Sequence, residues 1–239
     1  MNTHPENKTA NLKSLYQLGG AAALLMAAII LIQFISFMIE PPPYEGTVQD
    51  WFALFDRSPL FGLIGFELLM VVYMLVSIPL SLALYLRLKS TSPAFTALYL
   101  ALSLVGVGAF ISARPALEML HLSQTYATAT SPADRAMVLA AGPALVSTFN
   151  GAAFHTSYIL GSLTGLLISL VMLKSRLFSR GIAIARIASS LCDFGLYVPL
   201  VGMYISIFSV LFLLIWDIWI GFALLKLGRG SDERIVKTF

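Results

Sequence analysis

GPALVSTFNGAAFHTSYILGSLTGLLISLVMLK, residues 142–174, decides how the rest of the chain is read. The run is long and apolar enough to cross a bilayer, which takes about 20 residues of helix. Its polar and small residues are not scattered. Gly151, His155, Tyr158, Ser162, Gly165 and Ser169 recur at steps of four and three, and so share one stripe of a helix. Asn150, Ser157, Gly161 and Thr164 widen that stripe, while Ile159, Leu163, Leu166, Leu170 and Leu173 form an apolar face suited to lipid. A membrane helix must turn such a stripe towards other helices or a wet cavity.

Composition sets the class. Of 239 residues, 58% are hydrophobic and 11% charged, against roughly 25% charged in a soluble domain. Several apolar runs of membrane-spanning length follow one another, and the sequence predicts an all-α polytopic bundle of six transmembrane helices. The net charge of +3 does not point to nucleic acid, because the basic residues stand at helix ends. A single cysteine, Cys192, excludes a disulfide framework. The first apolar run, about 24 residues long, exceeds a signal-peptide core of roughly 7–15 and reads as a retained first helix.

Six helices are expected at about 15–39, 60–86, 93–113, 142–174, 182–200 and 203–225, with tails at 1–14 and 226–239. Pro41-Pro42-Pro43 stops the first. Thr47 and Asp50 form a capping box for a short helix carrying Trp51, Phe52, Leu54 and Phe55, expected to lie in the membrane interface. Ser58-Pro59 reads as a helix start, Arg114-Pro115 as an interruption, and Ser131 with Asp134 as a second capping box opening a surface helix. Gly142-Pro143 is expected to bend that helix into the fourth span. Twelve Lys and Arg fall on the side of the termini and only Arg57, Arg114 and Arg135 on the other. This asymmetry places both termini in the cytoplasm.

Four segments carry a resemblance: PPPYEGTVQDWFALFDRSPLFGLIGFELL (41–69), RPALEMLHLSQTYATATSPADRAMVLAAGPAL (114–145), FNGAAFHTSYILGSLTGLLISLVMLKS (149–175) and LYVPLVGMYISIFSVLFLLIWDIW (196–219). Together they resemble a bacterial family of six-helix integral membrane proteins classed as a domain of unknown function. The resemblance implies a fold and a location in the bacterial inner membrane, and no activity.

Counting inward from the basic ends places Glu67, Arg114 and His155 in one outer layer, with Asn150 just outside it and Asp193 about 10 Å deeper. Glu118 and His121 follow Arg114 by one and two turns. Two readings compete for this layer. Intramembrane ionisable groups mark ligand sites and pathways, and they also form satisfied networks in which Arg114 pairs with Glu67 or Glu118. Arg186 and Asp217, on antiparallel neighbours, are expected to form a structural ion pair. No catalytic motif is present, the histidines and carboxylates lack metal-site spacing, and no cofactor or nucleic-acid partner is expected beside the lipid bilayer. The leading expectation is a non-enzymatic protein that binds or conducts a small molecule or ion through a polar pocket of Glu67, Arg114, Asn150, His155 and Asp193. An intramembrane enzyme using His155 with Glu67 or Asp193, metal-dependent or not, and a structural or partner-binding protein are the alternatives.

Overall fold

The computed structural model describes residues 5–230. The outer parts of both expected tails, with His4, Arg234 and Lys237, lie outside the described residues. Ten α-helices follow in order: α1 Pro5–Ile39, α2 Val48–Arg57, α3 Pro59–Gly65, α4 Leu68–Leu88, α5 Pro93–Ser112, α6 Ala116–Thr128, α7 Pro132–Phe149, α8 Ala152–Ser175, α9 Arg180–Asp193 and α10 Gly202–Gly228. A 3-10 turn, Phe194–Tyr197, follows α9, and no strand occurs among the described residues.

Five stretches are long and apolar enough to cross a membrane: Asn11–Ile39, Leu68–Leu88, Pro93–Thr128, Pro132–Ser175 and Tyr204–Gly228. The expected span at 182–200 is the exception. α9 has 14 residues, about 21 Å of helix against a hydrocarbon core of about 30 Å. Gly195 lies in the 3-10 turn beyond it, Pro199 cannot donate to a helical ladder, and Leu200 takes a left-handed φ of 70°.

Local signals place most helix starts. Thr47 and Asp50 cap α2 reciprocally, and the Ser58 and Ser131 side chains accept from Phe61 and Asp134 N–H, each just ahead of a proline. Two breaks fall where none is expected. The second helix divides at Phe66-Glu67, with Glu67 at φ 58°. The fourth continues unbroken through Gly142-Pro143, within α7, and divides instead at Asn150-Gly151.

The chain forms two compact units: unit 1 is Met1–Ala28, Leu75–Val107 and Tyr158–Phe239, and unit 2 is Ile29–Met74 and Gly108–Ser157. In unit 1, α1 and α10 run antiparallel at close range. A Cβ at Gly20 would lie 2.7 Å from the Gly221 carbonyl, and the Gln17 amide donates to the Gly228 carbonyl at 3.3 Å. The start of α1 and the end of α10 therefore lie side by side. Gly19 faces Pro79 and Ala83 of α4, whose partner α5 is tied to it by the Tyr99 hydroxyl on Ser81 (3.2 Å). Leu84, Leu88, Ile168, Ile220 and Leu224 are buried, but the surface is apolar as well and several serines lie inside. Ser162, Ser169, Ser189 and Ser190 are at most 1% exposed, while Leu18, Leu25, Leu98, Leu163, Leu170 and Phe208 lie open.

Unit 2 has an aromatic core. The short α2, expected to lie in the membrane interface, packs its Trp51, Phe52, Leu54 and Phe55 against Phe66, Ala116, Met119 and Phe149. Full burial of such a side chain stabilises by about 1.5–3 kcal/mol, so four together far outweigh what the capping box contributes. Val48 of α2 fills the space over Gly142, where a Cβ could not enter.

Candidate functional site

Arg114 is the centre of unit 2. Its Nε donates to Glu67 Oε2 at 2.8 Å, Nη2 forms an ion pair with the same oxygen at 2.7 Å, and Nη1 donates to the carbonyls of Ala113 and Phe149, both at 3.1 Å. The guanidinium carbon lies 4.2, 4.4 and 4.9 Å from the ring centroids of Phe110, Phe149 and Phe154. Every face of the fork is engaged, and the side chain is 1% exposed.

The partners explain the unexpected helix breaks. Glu67 stands at the α3–α4 break, Ala113 at the end of α5 and Phe149 at the end of α7. A helix C-terminus carries unpaired carbonyls and partial negative charge, so the ends of α5 and α7 suit a guanidinium. Of the two pairings expected for Arg114, Glu67 is the one formed, and Glu118 is exposed.

The rest of the expected outer layer is differently placed. Asn150 and His155 are both exposed, as is His121, so the stripe is not buried at its first turn. The His155 ring lies 5.2 Å from that of Phe154. Tyr44, which sequence reasoning left aside, stacks on Phe149 at 5.9 Å and donates its hydroxyl to the Gly65 carbonyl at 3.0 Å. Burial pushes that hydroxyl's pKa upward and the nearby Glu67 carboxylate adds to the effect, with Arg114 opposing, so Tyr44 stays protonated as a donor.

Asp193 belongs to unit 1 and has a different setting. From Tyr158 onward the α8 stripe is covered by α9 and α10. The Tyr158 hydroxyl donates to Asp193 Oδ1 at 3.4 Å and lies 2.6 Å from Ser206 Oγ. Ser162 Oγ approaches Asp193 Oδ2 at 3.4 Å and bonds the Tyr158 carbonyl at 3.0 Å. These groups form a continuous polar seam, Ser206–Tyr158–Asp193–Ser162, joining three helices. Two turns earlier on α9, Arg186 donates to the Gly161 carbonyl and Ser189 Oγ, both at 3.2 Å. A Cβ at Gly165 would come within 2.6 Å of its guanidinium carbon, so this glycine makes room for a side chain rather than for a helix backbone. The guanidinium lies 5.3 Å over the Trp216 ring of α10, and Asp217, the next residue in sequence, is fully buried.

The structure thus brings Glu67 and Arg114 together and places Asp193 among hydroxyls. Phe110, Phe149, Phe154, Tyr44 and Ser206 escaped the sequence reading. For Phe149 and Phe154 the one signal is an aromatic residue beside a polar one inside an apolar run, Phe149-Asn150 and Phe154-His155. Among the described residues, no three His, Cys, Asp or Glu side chains group as a metal site requires. No protein-family model, curated protein or solved structure matches the chain.

Proposed function

We propose that this is an integral protein of the bacterial inner membrane that binds or passes a small molecule or ion along the seam Ser206–Tyr158–Asp193–Ser162, without catalysing a reaction. The observation that carries the reading is a carboxylate held among hydroxyls where α8, α9 and α10 meet, since ionisable groups inside a membrane bundle are retained chiefly for sites and pathways. In this reading α9 with its 3-10 turn is a short sixth crossing, and α2 and the start of α7 lie at the outer surface. Both termini are cytoplasmic, in keeping with the adjacent ends of α1 and α10 and the basic residues around them. Activity of a periplasm-dependent reporter fused after Phe239 would overturn that topology.

The seam has a direct test. In a Cys192→Ser background, Ser206→Cys is compared with Phe208→Cys, which faces outward on α10. Thiols react as thiolates and need water. A water-soluble thiol reagent should label Ser206→Cys much faster than Phe208→Cys in the folded protein. Equal rates would mean a dry seam and would end the reading. Unit 2 supports a second role: with its charge paired to Glu67 and three hydrogen bonds to its own surroundings, Arg114 serves as scaffold there rather than as a ligand group.

A further inference from the structure

Asp193 occupies an unusual position for an acid. It closes α9 just before the 3-10 turn Phe194–Tyr197, near the C-terminal end of the helical run, where the dipole presents partial negative charge. A carboxylate there is disfavoured by its own helix, and acids are normally gathered at the opposite end. Its hydrogen bonds do little to offset this. Tyr158 and Ser162 reach its two oxygens at 3.4 Å each, at the outer limit of hydrogen bonding. The nearest cation on α9, Arg186, is directed at the Gly161 carbonyl, Ser189 and the Trp216 ring. From α10 the Ser206 hydroxyl reaches Tyr158, and from the 3-10 turn the Tyr197 ring lies 6.5 Å from that of Tyr158.

Charge and donor type together specify what such a cluster takes. One carboxylate and three hydroxyl oxygens, from Tyr158, Ser162 and Ser206, are hard neutral or singly charged ligands. A helix C-terminal end adds a negative field without adding a formal charge, which is how half-helix ends favour small cations inside membranes. Thiolate and imidazole ligands, which suit transition metals, are lacking in the cluster, and its single formal charge does not match a divalent ion.

We infer that Asp193, with Tyr158, Ser162 and Ser206, forms a binding site for a small monovalent alkali cation of the sodium class. The inference rests on the seam reading and names the ion that the seam holds. Binding moves Asp193 from two long hydrogen bonds to direct coordination, and the hydroxyls turn their lone pairs inward while donating elsewhere, as Ser162 does to the Tyr158 carbonyl.

The test uses the full chain purified in detergent, with sodium, lithium and potassium chloride each titrated against choline chloride at constant ionic strength. A ligand that binds only the folded state raises the melting midpoint in a saturable way. Sodium or lithium should raise the midpoint of the parent over choline, and Asp193→Asn should lose the response completely. Ser206→Ala, a milder change should Asp193→Asn not fold, should shift the titration to higher sodium. A parent midpoint identical in sodium, lithium, potassium and choline overturns the inference, as does a sodium response that Ser206→Ala and Asp193→Asn both retain. Should Ser206→Cys label rapidly while no alkali cation acts, the cation site falls and the seam stands; a dry seam removes both.

Discussion

Twelve Lys and Arg accompany five Asp and Glu in unit 1, whereas unit 2 has three against seven. The unit with few cations places one of them at its centre. Arg114 ties together residues 47 and 35 positions away, and the ends of three helices depend on it. In unit 1 the buried polar groups mostly satisfy themselves within their own helix: Ser162 on the Tyr158 carbonyl, Ser169 on Gly165 and Thr164 on Gly161. Its helices then meet through glycines. The contrast teaches that buried polarity can either be concentrated in one long-range node or dispersed into local bonds, and the two should fail differently.

The largest effect is expected at the node. Arg114→Ala removes one partner of a buried ion pair and strands the carbonyls of Ala113 and Phe149, a loss of about 3–5 kcal/mol. Thermal unfolding in detergent should show it, and Arg114→Lys should rescue little, because an ammonium cannot span the same fork. If the double variant Arg114→Ala with Glu67→Gln is no better than Arg114→Ala, the stranded carboxylate is not the source of the cost.

A smaller loss is expected where unit 1 packs by glycine. Gly20→Ala drives a Cβ to within 2.7 Å of a backbone carbonyl and 2.9 Å of the Leu225 nitrogen, neither of which can rotate away. The cost should be about 1–3 kcal/mol. Gly108→Ala, with nothing within 4 Å of the added carbon, should instead be neutral or stabilise by up to about 1 kcal/mol. Equal midpoints for the two variants would count against glycine packing as the organising contact.

Smaller again is Tyr44→Phe, which deletes the bond to the Gly65 carbonyl but keeps the stack on Phe149. A loss of about 1 kcal/mol is expected, with the fluorescence of Trp51, 5.8 Å from the Tyr44 ring, reporting that the core is otherwise intact.

The least effect is at the surface. The Thr47 backbone N–H, and then its hydroxyl, hold the Asp50 carboxyl below its ordinary value of 3.8. With a lowered folded pKa, the cap's contribution is complete above 3.8 and fades as pH falls through that lower value. Amide exchange at the start of α2 should accelerate across this acid window in the parent, and Asp50→Asn should flatten the dependence.

What could be read in the sequence was local or compositional. Thr47 with Asp50, Ser58-Pro59 and Ser131-Pro132 announce helix starts because cap and helix are neighbours in the chain. The apolar runs announce membrane-length helices for the same reason. The break at Glu67 gave no such warning, since it lies in a run that favours helix and is divided where Arg114 meets it from far along the chain; at Asn150-Gly151 the Asn-Gly pair is itself a turn signal, masked by the polar stripe that continues across it. α9 was overestimated because hydropathy continues through Gly195 and Pro199 after the helical backbone has stopped. At the candidate site, the polar identity of Asp193, Tyr158 and Ser162 was legible, and their joining with Ser206 was not, because it depends on how three helices pair.

The node around Arg114 also sets an order of events during synthesis. Glu67 leaves the ribosome 47 residues ahead of Arg114, and Phe149 follows 35 residues after it. At roughly 5–20 residues per second, the carboxylate waits several seconds for its cation and the cation waits again for its second helix end. Through that interval the first half of unit 2 is a nascent chain with an unmatched charge. The node can therefore close only after Phe149 has been made, and a slow codon stretch between Glu67 and Phe149 would lengthen the interval.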